Sequence, residues 1–146
     1  MRIYEYFSAS LAQFPHNNAL FCEGRFYSYT ELDVLCKKIA SCILEIGTLE
    51  NIGVVTGSNA FQYASILAIS SIGGTYVPLN HKNPIQRNIE IINQCGIKIV
   101  LTDRNFDLGN CDINFICPED LNKKAHVKEV ERIVNSENAY ILFTSG

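Results

Sequence analysis

The sequence predicts an α/β protein built on a mostly parallel β-sheet flanked by helices. Two features carry that prediction. From residue 52 onward, short continuous apolar runs at 52–56, 75–79, 97–102, 113–117 and 139–143 alternate with helical patterns, which is how a parallel sheet covered on both faces reads. The helical stretch 59–72 between the first two runs carries no charged residue, so it is expected to be buried almost all round.

About residues 1–50 read as a helix–hairpin–helix segment ahead of the sheet. Residues 3–14 have the apolar spacing of an amphipathic helix, closed by Pro15. Residues 19–23 and 26–29 are β-prone runs around Gly24 and Arg25, the pattern of a tight hairpin. Thr30 is placed as the N-cap of the next helix, with Glu31 and Asp33 in its electropositive first turn. Leu32, Leu35, Cys36, Ile39, Ile43 and Ile46 form its apolar stripe, and Gly47 ends it.

About residues 51–146 read as the sheet segment. Ser58 or Asn59 caps the uncharged helix, and Gly73 and Gly74 end it. The strand at 75–79 contains Pro78 and is followed by the polar Asn80, His81, Lys82 and Asn83. Asn83 and Pro84 read as N-cap and N1 of a helix with Ile85, Ile89 and Ile92 on one face, closed by Gly96. A strand at 97–102, a polar loop at 103–112, a strand at 113–117 and one or two short helices within 119–134 follow. The run 139–143 is expected as an interior strand leading into Thr144, Ser145 and Gly146.

Composition narrows the function classes. With 146 residues, 47% hydrophobic and 18% charged, and a mean hydropathy of +0.07, the chain has the apolar content for one cored domain. Twelve Lys and Arg against 15 Asp and Glu, with a net charge of -3 and no basic cluster, lack the footprint that nucleic-acid backbones require. The N-terminal residues have a Glu by position 5 and recurrent polar groups, unlike a signal or transit peptide. The most hydrophobic run, 60–74, is too short for a bilayer and is broken by Gln62, Ser65, Ser70 and Ser71. No membrane partner and a cytoplasmic location are therefore expected.

The six cysteines, Cys22, Cys36, Cys42, Cys95, Cys111 and Cys117, show no C-x-x-C pairing and read as buried free thiols, with no metal site. His81 follows a strand but has no evident carboxylate or nucleophile partner, so it reads as a solvated loop residue, as do His16 and His126. Gly73 and Gly74 follow a helix and precede a strand, the reverse of a dinucleotide-binding fingerprint.

Chemistry enters at the end of the chain. A buried strand running into a small, polar, glycine-containing turn is how α/β proteins bring backbone N–H groups to phosphate, although Thr-Ser-Gly alone is usually only a turn. Three segments taken together add context. Residues 26–32 (FYSYTEL) match an early T/S-Y-x-E-L block. Residues 69–80 (ISSIGGTYVPLN), continued by Pro84 and Arg87, match L-K-A-G-x-A-Y-V-P-L-D, and residues 138–146 (NAYILFTSG) match the opening of A-Y-x-x-Y-T-S-G-S-T-G-x-P-K-G. In this order the chain resembles the adenylate-forming, AMP-binding enzymes, and most of all the adenylation domains of nonribosomal peptide synthetases and the D-alanine carrier-protein ligases.

The resemblance implies that residues 1–146 are the N-terminal portion of an adenylation domain's large subdomain, ending within the phosphate loop. It implies an ATP- and Mg²⁺-dependent ligase that activates a carboxylate, most readily an amino acid, as an acyl-adenylate with release of pyrophosphate. The acyl group then passes to a carrier-protein phosphopantetheine or to CoA. Thr144, Ser145 and Gly146 are the residues implied to meet the ATP phosphates. No catalytic residue and no metal ligand is implied within these residues, since the loop lysine, the ribose-binding acid and the substrate pocket match nothing here, and the fragment alone is expected to be inactive. Phe143 stands where the pattern has Tyr, and Asn80 where amino-acid activators carry Asp and acyl-CoA synthetases often carry Asn. The alternatives are thus an acyl-CoA synthetase of the same superfamily, or a small non-enzymatic α/β binding module of flavodoxin or receiver type. Because the uncharged helix 59–72 would lie beside an unfinished sheet, a homodimer or aggregation of the fragment is also expected.

Overall fold

The computed structural model describes residues 2–47, 50–55, 57–122 and 136–144. Helix α1 (Ile3–Gln13) precedes a hairpin of β1 (Asn18–Cys22) and β2 (Arg25–Ser28), and helix α2 (Tyr29–Ile46) follows. Then come β3 (Asn51–Val55), α3 (Ala60–Ser71), β4 (Thr75–Leu79), α4 (Ile85–Cys95), β5 (Ile99–Leu101), β6 (Asn114–Ile116) and the single turn α5 (Pro118–Leu121). The sheet is parallel throughout, in the order β4-β3-β5-β6, as the alternation of apolar runs and helices predicts.

Period-two alternation assigns the two faces of the sheet. Ile52, Val54, Ile99 and Leu101 face a core shared with α2 and α3, and Val55, Val77, Leu79 and Val100 face α4. The α2 stripe delivers Leu32, Cys36, Ile39 and Ile43 to that first core, while Leu35 is only half-buried and Ile46 is exposed. On α4 the buried face is Asn88, Ile91 and Ile92, with Ile85 exposed.

The start of α2 differs from the sequence expectation. Its N-cap is Ser28, not Thr30: Ser28 Oγ accepts from Glu31 N–H at 3.1 Å, and the Glu31 carboxylate accepts from Ser28 N–H at 3.1 Å. This reciprocal S-x-x-E box satisfies two backbone donors, and it leaves the Thr30 hydroxyl to donate to the Pro15 carbonyl at 2.8 Å. Asp33 lies beyond the first turn and is buried, accepting from the Tyr4 hydroxyl at 3.0 Å and pairing with Lys37 at 2.8 Å. At α4 the cap position is Pro84 rather than Asn83, because Pro84 keeps an extended ψ of 141° and the helix begins one residue later. Asn59 caps α3, accepting from Gln62 N–H at 2.9 Å.

Helix α3 lies in the chain's own core, packed against α1, α2 and the sheet. The backbone N–H of Tyr4 donates to Ser70 Oγ at 3.0 Å, tying α1 across it. The expectation that this uncharged helix would need a partner molecule is therefore corrected: α1 and α2 supply the cover. At its end Gly73 takes a φ of +88°, the left-handed conformation that favours glycine. A Cβ on Gly74 would lie 3.2 Å from the Glu50 carbonyl oxygen, so close packing as well as turn geometry requires these two glycines. Most of the expected helical stretch 119–134, and the strand end at Thr56, lie outside the described residues.

Candidate functional site

The segment 136–144 runs along the outer edge of β4, parallel to it, and so emerges at the carboxyl ends of the strands. Ser136 N–H donates to the Gly73 carbonyl at 3.0 Å, and the Arg2 guanidinium donates to the Ser136 carbonyl. Thr75, fully buried, donates its hydroxyl to the Asn138 carbonyl at 2.6 Å and lies 2.5 Å from Ser136 Oγ. Tyr76 then makes a parallel bridge with Tyr140: Tyr76 N–H donates to the Ala139 carbonyl at 3.1 Å and Ile141 N–H to the Tyr76 carbonyl at 3.2 Å. The two tyrosine rings lie 5.7 Å apart, and burial, with Tyr140 beside it, pushes the Tyr76 hydroxyl above the usual phenol range.

The expected interior strand 139–143 is thus, among the described residues, an edge segment with a single bridge. The reason is in β4. The next donor in a parallel ladder would be residue 78, and Pro78 has no N–H to give to the Ile141 carbonyl. Its outward-facing position on an edge strand is where proline is tolerated.

Beyond the bridge the chain is caught by α4. Arg87 Nη2 donates to the Thr144 carbonyl at 2.9 Å, its guanidinium lies 5.9 Å from the centre of the Phe143 ring, and Nη1 is 3.7 Å from the Glu90 carboxylate. A cleft of about 240 Å³ opens there, lined by Pro78, Asn80, Asn83, Arg87, Leu142 and Phe143 among others. Thr144, one residue beyond the lining Phe143, is exposed. Ser145 and Gly146, the other two residues predicted to meet phosphate, lie outside the described residues.

Asn80 builds the turn between β4 and α4. Its Oδ1 accepts from Lys82 N–H at 2.9 Å, and its carbonyl accepts from Asn83 N–H at 3.1 Å and from the amide of buried Asn88 at 3.0 Å. An Asp oxygen would accept the Lys82 bond equally, so this turn accommodates either residue at position 80. His81 is exposed and faces Arg104, whose Nη1 lies 3.2 Å from His81 Nε2, rather than a carboxylate. Arg104 also pairs with Asp103 at 2.9 Å, and Asp103 accepts from the Asn59 amide. Among the described residues no group of His, Cys, Asp or Glu could hold a metal ion, and no helix is long and apolar enough to cross a membrane.

This geometry defines a class: an α/β unit in which a segment runs along the edge of a parallel sheet and brings the exposed Thr144 to the carboxyl ends of the strands. The chain belongs to the AMP-binding enzyme family, whose pattern matches residues 7–146. It is 26% identical over 96% of its length to the nonribosomal peptide synthetase sidE of Aspergillus fumigatus, of which it spans 7%. Its fold superposes with a TM-score of 0.86 on the nonribosomal peptide synthetase FmoA3 in its alpha-methyl-L-serine-AMP bound form, at 24% identity over 99% of this chain and 17% of that one. A TM-score of 0.83 relates it to NpsA-ThdA, an artificially fused adenylation-PCP di-domain from Klebsiella oxytoca, at 19% identity over 98% of this chain and 28% of that one. The chain therefore covers only a small part of the relatives it matches.

Sequence reasoning missed the parts that hold the loop in place. Ser136 belongs to no motif, Thr75 appears only as one position of the second block, and Arg87 only as the tail of that block. The one available signal was a small polar residue, Thr75, at the head of an apolar strand, where a buried hydroxyl needs a partner.

Proposed function

We propose that this chain is the front part of an ATP-dependent ligase that activates an amino acid as its acyl-adenylate, releasing pyrophosphate, and passes it to a carrier-protein thiol. The observation that carries the reading is the exposed Thr144 at the carboxyl edge of the sheet, held from α4 by Arg87. Membership of the AMP-binding enzyme family and the synthetase relatives support it. They also weigh against a small non-enzymatic module.

The residues present fit part of a nucleotide site. Thr144 is exposed and carries a hydroxyl, and backbone N–H groups in the turn after a strand are suited to anionic oxygens. When bound, ATP would supply the activated phosphoryl centre and Mg²⁺ would offset its charge; the role proposed for this chain is to position the start of the loop. Residues 1–146 match no cation of that loop, so these residues alone are proposed to form no adenylate.

A carrier protein is favoured over CoA because the matched relatives are peptide synthetases and because Asn80, the residue that pointed to CoA ligases, serves the turn. A cytoplasmic location belongs to the same proposal. Self-association of the 146 residues is proposed through the edge bearing Tyr140 and Leu142, 52% and 64% exposed, since α3 is already covered. Light scattering at several concentrations tests this, and a monomer throughout would refute it.

The enzymatic reading is tested by ATP–pyrophosphate exchange with the whole polypeptide that carries this chain, against a panel of amino and fatty acids. Exchange stimulated by one amino acid, followed by loading of a carrier protein, is the expected outcome. Exchange only with fatty acids, with transfer to CoA, would overturn it.

A further inference from the structure

Arg87 stands 57 residues before the Thr144 carbonyl to which it donates, on a different element, and bridges two of the matched sequence blocks. The outer edge of β4 holds the approaching chain through Thr75 and Tyr76 only as far as Ile141. Past that point Pro78 cannot donate, and among the described residues the Arg87 bond is the one hydrogen bond to residues 142–144. The guanidinium lies beside Phe143 and is steadied by Glu90, so it contacts the last aromatic residue before the loop and the first residue of the loop at once. A peptide unit is planar, so fixing the Thr144 carbonyl sets the direction in which the chain leaves Thr144.

We infer that Arg87 is a positioning residue for the phosphate loop: it replaces the strand pairing that Pro78 forbids and sets the entry of the loop from α4. It acts through the backbone of Thr144 and need not touch nucleotide. The inference rests on reading Thr144 as the start of a phosphate loop. The planar fork of arginine suits a shared contact with a carbonyl, a ring and a carboxylate, whereas lysine keeps the charge but not the fork.

Two measurements on Arg87→Ala, Arg87→Lys and Arg87→Gln separate this inference from the reading it rests on. In the whole polypeptide, ATP–pyrophosphate exchange should show the KM for ATP raised about tenfold in Arg87→Ala, as expected for loss of one charge-assisted hydrogen bond. Arg87→Lys should recover part of that loss, and the KM for the amino acid should stay within about twofold. Backbone amide order parameters at Phe143 and Thr144 should fall in Arg87→Ala while those of β3 and β5 keep wild-type values. A wild-type polypeptide with no exchange activity would defeat the enzymatic reading while leaving the amide result to decide the role of Arg87. Unchanged order parameters at Phe143 and Thr144, or equal loss for both substrates with order lost across the sheet, would overturn Arg87 as a positioning residue. If Arg87→Ala does not fold, the same two readouts on Arg87→Gln decide.

Discussion

The Thr75 hydroxyl lies 2.5 Å from that of Ser136, and both residues are buried. Thr75 donates its single proton to the Asn138 carbonyl, so Ser136 is the donor between the two hydroxyls, and Asn138 N–H reaches Ser136 Oγ at 3.3 Å. This closed set of bonds ties the head of β4 to the segment that leads to the candidate loop. Replacing Thr75 by Val keeps the shape but strands the Asn138 carbonyl and the Ser136 hydroxyl. The expected loss is about 1–3 kcal/mol in urea unfolding, with Thr75→Ser retaining most of the stability. Equal stability of the Val and Ser variants would show that the network does not form.

The two candidate caps of α2 are separable in the same way. Ser28→Ala should cost about 1 kcal/mol, since it removes the acceptor for Glu31 N–H. Thr30→Ala removes only an exposed bond to Pro15 and should cost less. Thermal unfolding of the two variants side by side checks the order, and the reverse order would restore Thr30 as the cap.

Most of the layer architecture is legible in the sequence because it depends on patterns with a fixed period. The continuous apolar runs at β3 and β5 are buried on both faces, β4 is buried on one face and half-buried on the other, and the uncharged α3 is buried between the sheet and α1 and α2. What escapes a linear reading depends on partners distant in sequence. Whether Ser28 or Thr30 caps α2 is decided by which hydroxyl is claimed elsewhere, and Pro15 claims that of Thr30. The strand character of 139–143 fails because its neighbour presents Pro78 at the position where an N–H is needed. Of the three predicted phosphate-binding residues only Thr144 is described, and its anchor, Arg87, could be placed beside it only by the fold.

Cys36 is fully buried, and burial, with Asp33 adding to it, pushes its thiol up to about 12 from an ordinary 9.0. The folded state therefore favours the protonated thiol. Its contribution to stability is fully present below pH 9 and declines as the pH rises from 9.0 towards 12, because the unfolded chain releases the proton first. Iodoacetamide at neutral pH should spare Cys36 in the folded protein and label it in urea, as mass spectrometry of the digest would show. Rapid labelling without denaturant would contradict this burial.

Asp103 is held below the usual carboxylate range, chiefly by the Arg104 side chain. A depressed carboxylate contributes stability above its unfolded value and loses it as pH falls through the folded one. Asp103→Asn should therefore flatten the acid limb of a stability–pH curve while leaving its alkaline limb in place. An acid limb identical to wild type would show that the pair with Arg104 does not operate in solution.

The most direct test of the site is a nuclear magnetic resonance titration of the whole polypeptide that carries this chain, isotope-labelled, with ATP and Mg²⁺. ATP bound at the end of this segment should shift the amides of Phe143 and Thr144 and the side-chain resonances of Arg87, and leave the hairpin amides of Phe21 and Phe26 unmoved. Saturable binding that leaves Phe143, Thr144 and Arg87 unperturbed would contradict the placement of the phosphate loop at Thr144.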